Sequence, residues 1–275
     1  MVLKKIYKAG WPGKMGLLAA ILFFCAFMGQ EPKPLVLKAK HNFFTGDNLG
    51  NAYLVNEDEL VKYLASGKFF ARYSNLKLGS ITSVDATNPL RLMLYYRDFQ
   101  QIVFLDNQLS KNSEAVSLEQ LGLEQTHLVC AAANNGFWIY NKQNNELLRF
   151  DEQLKKVSST GNLKQVLKSD LSPNFMMEHN GYLFLNCPTT GVYVFDIFGA
   201  FSRMIAIKDM ANFQVDGNIM YYQKDSIFCS YNFKTFEEAC RPLPVQQARV
   251  VVKYYNKDMY CSCRDSLLIY RSFKK

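Results

Sequence analysis

Histidine is scarce in this chain. His41, His127 and His179 are the only three among 275 residues, and no HxH or HxxxH spacing joins any two of them. The short-range ligand pairs that begin most zinc-hydrolase sites are therefore missing. No Gly-x-Ser-x-Gly elbow presents a nucleophile. No Gly-x4-Gly-Lys loop is available to cradle phosphate. Residues 47–51, DNLGN, lack the acidic spacing and distal Glu of a calcium loop and read as a turn. A basic stripe is missing too, although the formal net charge is +8. Lys4, Lys5, Lys8 and Lys14 face no acid within residues 1–30, and the remainder holds 28 Lys and Arg against 24 Asp and Glu. Nucleic acid is thus not an expected partner.

The longest apolar run is also short. Residues 15–29, MGLLAAILFFCAFMG, follow the four lysines, which is the layout of a secretory signal. A permanent spanning helix wants about 20 apolar residues, and Pro32 and Pro34 stop any helix soon afterwards. Small residues one and three places before a cut are not supplied together near positions 26–30. Residues 22–25, LFFC, have the outline of a lipoprotein signal, but bulky Phe24 stands where a small residue is wanted. Cleavage, retention as a membrane-associated anchor and lipidation stay open. Each places residues 31–275 outside the cytoplasm, with residues 1–30 as the targeting segment and a periplasmic or outer-membrane-associated destination.

What the chain has in quantity is aromatic surface. Sixteen Tyr and 21 Phe favour pleated strands, and the strands repeat. Residues 192–207, VYVFDIFGAFSRMIAI, align with residues 227–242, IFCSYNFKTFEEACRP, placing Phe195, Phe198, Phe201 and Ile205 over Ser230, Phe233, Phe236 and Cys240. The same frame marks six third-strand anchors: Tyr63, Leu105, Tyr140, Phe195, Ser230 and Tyr270. Their spacings are 42, 35, 55, 35 and 40 residues. A second strand precedes each anchor, at residues 52–55, 92–96, 128–131, 182–185, 219–222 and 259–261. A first strand precedes most of those, at residues 42–45, 81–84, 175–178, 213–215 and 249–254. Turn residues such as Gly50–Asn51, Asn180–Gly181 and Asp216–Gly217 separate them.

Four short antiparallel strands in about 40 residues, repeated six times, specify an all-β, six-bladed β-propeller of four-stranded antiparallel blades. Near-continuous apolar strands suit blades buried on both faces and argue against a sandwich with one solvated face. The last copy lacks an outer strand after Tyr270. Leu35–Lys38 therefore completes it, closing the ring and covering an open edge. Residues 151–173 break the period. Residues 155–159 can supply an outer strand, and residues 162–169, NLKQVLKS, have helical spacing. That helix is either a connector between blades or a partner-binding projection.

Residues 50–67, GNAYLVNEDELVKYLASG, resemble an NHL-type propeller repeat through Gly50, Tyr53, Leu54, Val55, Leu60, Tyr63 and Gly67. The other copies match more loosely, and the region after the targeting segment looks like the broad TolB/NHL-like six-bladed class. It is also reminiscent of uncharacterised envelope propellers from Bacteroidota. The resemblance implies an envelope location and carries no assigned activity, because propellers host many roles.

Some propellers hold a metal in the central channel. The residues in comparable places here are the three histidines with Asp85, Glu178 and Asp216, and turn positions explain them as well as ligation does. No cofactor is expected. The leading reading is a non-catalytic scaffold for envelope proteins; the alternative is a metal-dependent enzyme or small-ligand sensor built on the channel. Six cysteines follow the targeting segment. Cys130, Cys187 and Cys261 fit buried second-strand positions, and Cys261 and Cys263 share one strand face. Cys229 and Cys240 differ. A two- or four-residue hairpin loop centred between Lys234 and Thr235 places them directly opposite, at a Cα separation of about 4.5–5.5 Å that a disulfide spans. The competing reading is two reduced, buried cysteines in the places aligned with Val194 and Ile205.

Overall fold

The computed structural model describes residues 33–111, 113–245 and 250–271. Residues 1–30, expected to be a targeting segment, lie outside the described residues. Among the described residues the strands form six four-stranded antiparallel sheets. The first strand, β1 (Leu35–Lys38), stands apart from its chain neighbours. Blade 1 is β2 (Phe43–Gly46), β3 (Ala52–Asn56), β4 (Glu59–Tyr63) and β5 (Phe69–Ser74). Blade 2 is β6 (Ser83–Asp85), β7 (Leu92–Tyr96), β8 (Gln101–Leu105) and β9 (Val116–Ser117). Blade 3 is β10 (Thr126–Ala131), β11 (Phe137–Asn141), β12 (Glu146–Phe150) and β13 (Lys156–Ser159). Blade 4 is β14 (Phe175–His179), β15 (Tyr182–Cys187), β16 (Gly191–Asp196) and β17 (Phe201–Ile205). Blade 5 is β18 (Phe213–Asp216), β19 (Ile219–Lys224), β20 (Ile227–Asn232) and β21 (Glu238–Pro242). Blade 6 is β22 (Val251–Tyr255), β23 (Asp258–Cys263) and β24 (Ser266–Tyr270), with β1 as its outer strand.

The chain is therefore a six-bladed propeller closed by its N-terminal strand. Leu35, Val36, Leu37 and Lys38 pair with Ile269, Leu268, Leu267 and Ser266. Blade 1 is fitted to that strand as well. Gly67, in the turn before β5, has φ +85, and a Cβ there would stand 2.9 Å from the Leu35 methyl groups. Only glycine meets both demands at this position. Tyr260 adds a hydrogen bond of 3.0 Å to the Gly50 carbonyl, and Arg271 donates to the Ala65 carbonyl, both across the blade 6–blade 1 seam.

There is no single core. Six apolar clusters occupy the six seams between neighbouring blades. Strand alternation divides each blade between two of them. Phe137 and Ile139 of β11 pack toward blade 2, while Trp138 and Tyr140 pack toward blade 4. In β15, Leu183 and Leu185 pack toward blade 3 and Phe184 toward blade 5. That division is why these strands carry no polar face.

Blade 3 departs from the sequence reading by one strand. Residues 128–131 belong to the innermost strand, not the second, and Tyr140 lies on the second strand, not the third. Phe150, opposite Phe137, takes the third-strand place. Leu105 to Phe150 and Phe150 to Phe195 are then both 45 residues, so the apparent break at residues 151–173 disappears. The cause is physical. The inner strand THLVCA is as apolar and buried as a second strand elsewhere and mimics one. The expected helix spans Leu163–Leu167, capped by Asn162. Leu163 is fully buried against blades 3 and 4, so the helix connects blades.

Truncating the closing strand tests this architecture. Leu37 is buried against Leu267 and Ile269, so Leu37→Ala should cost about 2–4 kcal/mol of unfolding free energy, read from urea denaturation midpoints. Deleting residues 31–40 should cause aggregation or a larger fall in melting temperature. A deletion variant that melts like the parent would show that β1 does not close the ring.

Candidate functional sites at the inner strands and the blade seams

The inner-strand carboxylates point at the neighbouring blades. Asp85, at the end of β6, accepts the Ala131 backbone N–H at Oδ2 (2.9 Å); its Oδ1 accepts from the Thr87 N–H and hydroxyl at 2.9 and 2.6 Å. Glu178, on β14, accepts the Ala133 N–H at 2.8 Å and the Trp138 indole N–H at 2.6 Å, with the Arg149 Nε 3.8 Å away. Its side chain is 5% exposed. Both acids thus satisfy backbone donors of blade 3, and Gln214 does the same for the Tyr254 N–H of blade 6 at 3.1 Å. A buried donor without such a partner is costly, so these residues hold the ring together.

The histidines do not converge either. His41 is buried at the closing seam, where Nδ1 donates to the Ala39 carbonyl (2.9 Å) and Nε2 meets the Ser262 hydroxyl (2.8 Å). His127 lies on β10, where burial lowers its pKa and Arg97 and Lys142 add to that effect. His179 ends β14. Burial lowers its pKa against the opposing field of Asp216, and its Nε2 is buried with no hydrogen-bond partner among the described residues. Asp216 ends β18 and is exposed. The turn reading of residues 47–51 holds, because Asp47 is buried and accepts the N–H groups of Leu49 and Asn51, the Asn51 side-chain amide and the Tyr53 hydroxyl.

Sequence reasoning passed over one inner-strand cation. Lys253 on β22 donates to the Phe44 carbonyl at 2.8 Å and lies 5.1 Å from the Phe44 ring centroid. Burial brings its pKa down to about 8. Its place in an alternating strand was the one available signal, and a lysine there reads equally well as a surface residue.

Two grooves open at blade seams. One, of about 310 Å³, lies between Lys40 and the blade 1 side chains Tyr63, Phe69 and Arg72, where Arg72 pairs with Glu59 at 3.5 Å. The other, of about 290 Å³, runs between residues 206–209 and the blade 5 residues Tyr222, Lys224 and Glu238. Lys224 reaches across it to Asp209 at 3.7 Å. Beside this second groove, Cys229 and Cys240 face each other in the register expected from hairpin symmetry, with Ser230 opposite Ala239 and Tyr231 opposite Glu238. Their Cα atoms are 4.1 Å apart and the sulfurs are joined at 2.00 Å. Cys229 is buried and Cys240 exposed. The remaining described cysteines, Cys130, Cys187, Cys261 and Cys263, are buried thiols whose pKa values burial pushes upward.

Two measurements test these assignments. Glu178→Ala strands the buried Trp138 indole N–H and should cost about 1–3 kcal/mol, while Glu178→Gln, which keeps an acceptor, should cost less. For His179, the folded pKa lies below the 6.5 of a free histidine, so between those two values the unfolded chain binds the proton more tightly. The stability contributed by the neutral ring is full above pH 6.5 and is lost as pH falls through the lowered pKa. Denaturation midpoints should drop across that window, and His179→Gln should flatten the drop.

Solved structures share this fold at very low sequence identity. The chain aligns with one in a crystal structure of the mitotic checkpoint complex at TM-score 0.65 and 9% identity, over 100% of both chains. It aligns with the Neurospora crassa Pan2 WD40 domain at TM-score 0.60 and 8% identity, over 90% of this chain and 98% of that one. A streptogramin B lyase aligns at TM-score 0.59 and 8% identity over 90% of each chain. No protein-family model and no curated protein sequence matches the chain. What these likenesses share with the chain is the propeller fold.

Proposed function

We propose that this propeller is a non-catalytic scaffold that binds protein partners in the cell envelope, exported by residues 1–30. The observation that carries the reading is an apolar arc on the rim. Val157 on β13, Phe198 in the adjoining blade 4 turn, and Phe201 and Met204 on β17 are 47%, 73%, 42% and 46% exposed. The Ser158 hydroxyl donates to the Phe198 carbonyl, tying the two blades into one surface. Phe and Met are enriched where proteins meet proteins, and clustered exposure of this kind marks an interaction surface. A structure of the mitotic checkpoint complex and one of BBS1N in complex with ARL6DN are among those sharing the fold. The NHL-like character of the blades belongs to the same reading and is supported by Gly67 at φ +85 in the outer turn. So does a Cys229–Cys240 disulfide in the exported protein, which an oxidising compartment preserves.

Tagged protein recovered from envelope extract should bring down a stoichiometric partner, and Phe198→Asp with Met204→Asp should abolish that recovery. Failure to recover any partner, or full recovery with the double variant, would sink the scaffold. A reporter active only outside the cytoplasm should work when fused after residue 30; a silent fusion removes the envelope. Non-reducing peptide mapping should find residues 229 and 240 bridged.

A second reading, ligand binding at the end of the channel, is favoured by the unpartnered Nε2 of His179 in the field of Asp216. It requires near-stoichiometric calcium or zinc in purified protein, lost in His179→Ala.

A further inference from the structure

The cysteine pair of blade 5 belongs to a larger cluster. Tyr222 on β19 lies opposite Cys229 on β20, which lies opposite Cys240 on β21. Directly opposed residues share a sheet face, so three strands present one row of side chains. Glu238 precedes Cys240 by two positions and emerges on the same face. Its Oε1 lies 3.9 Å from the Cys240 sulfur and accepts a hydrogen bond from the Tyr222 hydroxyl. Tyr222 is 1% exposed, so the carboxylate is held by a fixed donor. One ligand atom from each of Cys229, Glu238 and Cys240 falls within 4.8 Å of the others. The groove of about 290 Å³ has Tyr222 and Glu238 in its wall, and the exposed Cys240 gives access from solvent.

Tetrahedral zinc binds thiolate sulfur at about 2.3 Å and carboxylate oxygen at about 2.0–2.2 Å, which sets ligand atoms about 3.4–3.8 Å apart. Two thiolates and a carboxylate are a suitable donor set for that ion. A tyrosine hydroxyl orienting the carboxylate matches the outer hydrogen bonds that position metal ligands.

We propose that Cys229, Cys240 and Glu238 form a two-state site: a disulfide when oxidised, and when reduced a binding site for a thiophilic divalent cation such as zinc, with water as fourth ligand. A dithiol reductant supplies two electrons and two protons. The Cys229–Cys240 sulfur–sulfur bond breaks, two thiols form, and the reductant becomes its own disulfide. The sulfurs then separate by side-chain rotation, and the cation displaces both thiol protons to solvent as it binds. Oxidation and metal occupancy exclude each other, because both use the same sulfur electron pairs. The inference is independent of the scaffold reading, so failure of either leaves the other standing.

The test uses the full chain in both redox states. Reduced, desalted protein dialysed against zinc should retain one equivalent by elemental analysis, and the oxidised protein at least tenfold less. Cobalt in place of zinc should give thiolate-to-metal absorption in the reduced form alone. The Cys229→Ser, Cys240→Ser double variant should lose the ion, and Glu238→Gln should weaken binding at least tenfold. The comparison of oxidised with reduced wild-type chain needs no variant to fold. The proposal is overturned by equal zinc in the oxidised or double-serine chain, by none in the reduced chain, by unchanged affinity in Glu238→Gln, or by a chain in which the disulfide cannot be formed.

Discussion

The middle of every blade of this protein is packed on both faces, and the rest of the structure follows from that constraint. A sheet with one wet face can leave half its residues polar. Here the two alternating sets of a second strand are both apolar, one for each neighbour, as Phe137 and Ile139 against Trp138 and Tyr140 show. Six seams replace one core, and each blade packs against two neighbours. A ring is the arrangement that supplies two partners to all six. The pairing of β1 with β24 supplies the outer edge of the last blade from the other end of the chain.

Backbone polar groups near the axis face a related demand. Apolar packing cannot satisfy them, and the ladder ends at the innermost strand. Long polar side chains from the next blade do this work: Asp85 for Ala131, Glu178 for Ala133, Gln214 for Tyr254 and Lys253 for Phe44. The same residue types in the same places would be read as channel chemistry in another propeller. Here their geometry is that of cross-blade caps, each reaching the adjoining blade.

Much of the fold was legible in the sequence because strand composition and turn residues are local. Five of the six anchors fall on third strands, and the closing strand carries the bounds expected for it. Tyr140 was misplaced because an unusually apolar inner strand erased the contrast that orders strands within a blade. The opposition of Cys229 and Cys240 followed from hairpin symmetry, a short-range property. The partners of Asp85 and Glu178, 46 and 45 residues away, did not follow, since nothing local records which neighbour a side chain meets across a seam. Glu238 was invisible as a companion of the cysteines for a similar reason: Tyr222, which holds it, sits two strands away.

The closing strand also dictates when the molecule can be finished. Leu35 and Ile269 stand 234 positions apart, so synthesis makes one half of the clasp long before the other. Joining ends that distant carries a chain-entropy penalty of about 5 kcal/mol, to be met by contacts that form only once both strands exist. Until then β1 waits without its partner, and an unpaired strand is the part of a β protein most given to joining the wrong chain. The clasp that makes the finished ring edge-free at this seam leaves the growing chain exposed for longest at that same place.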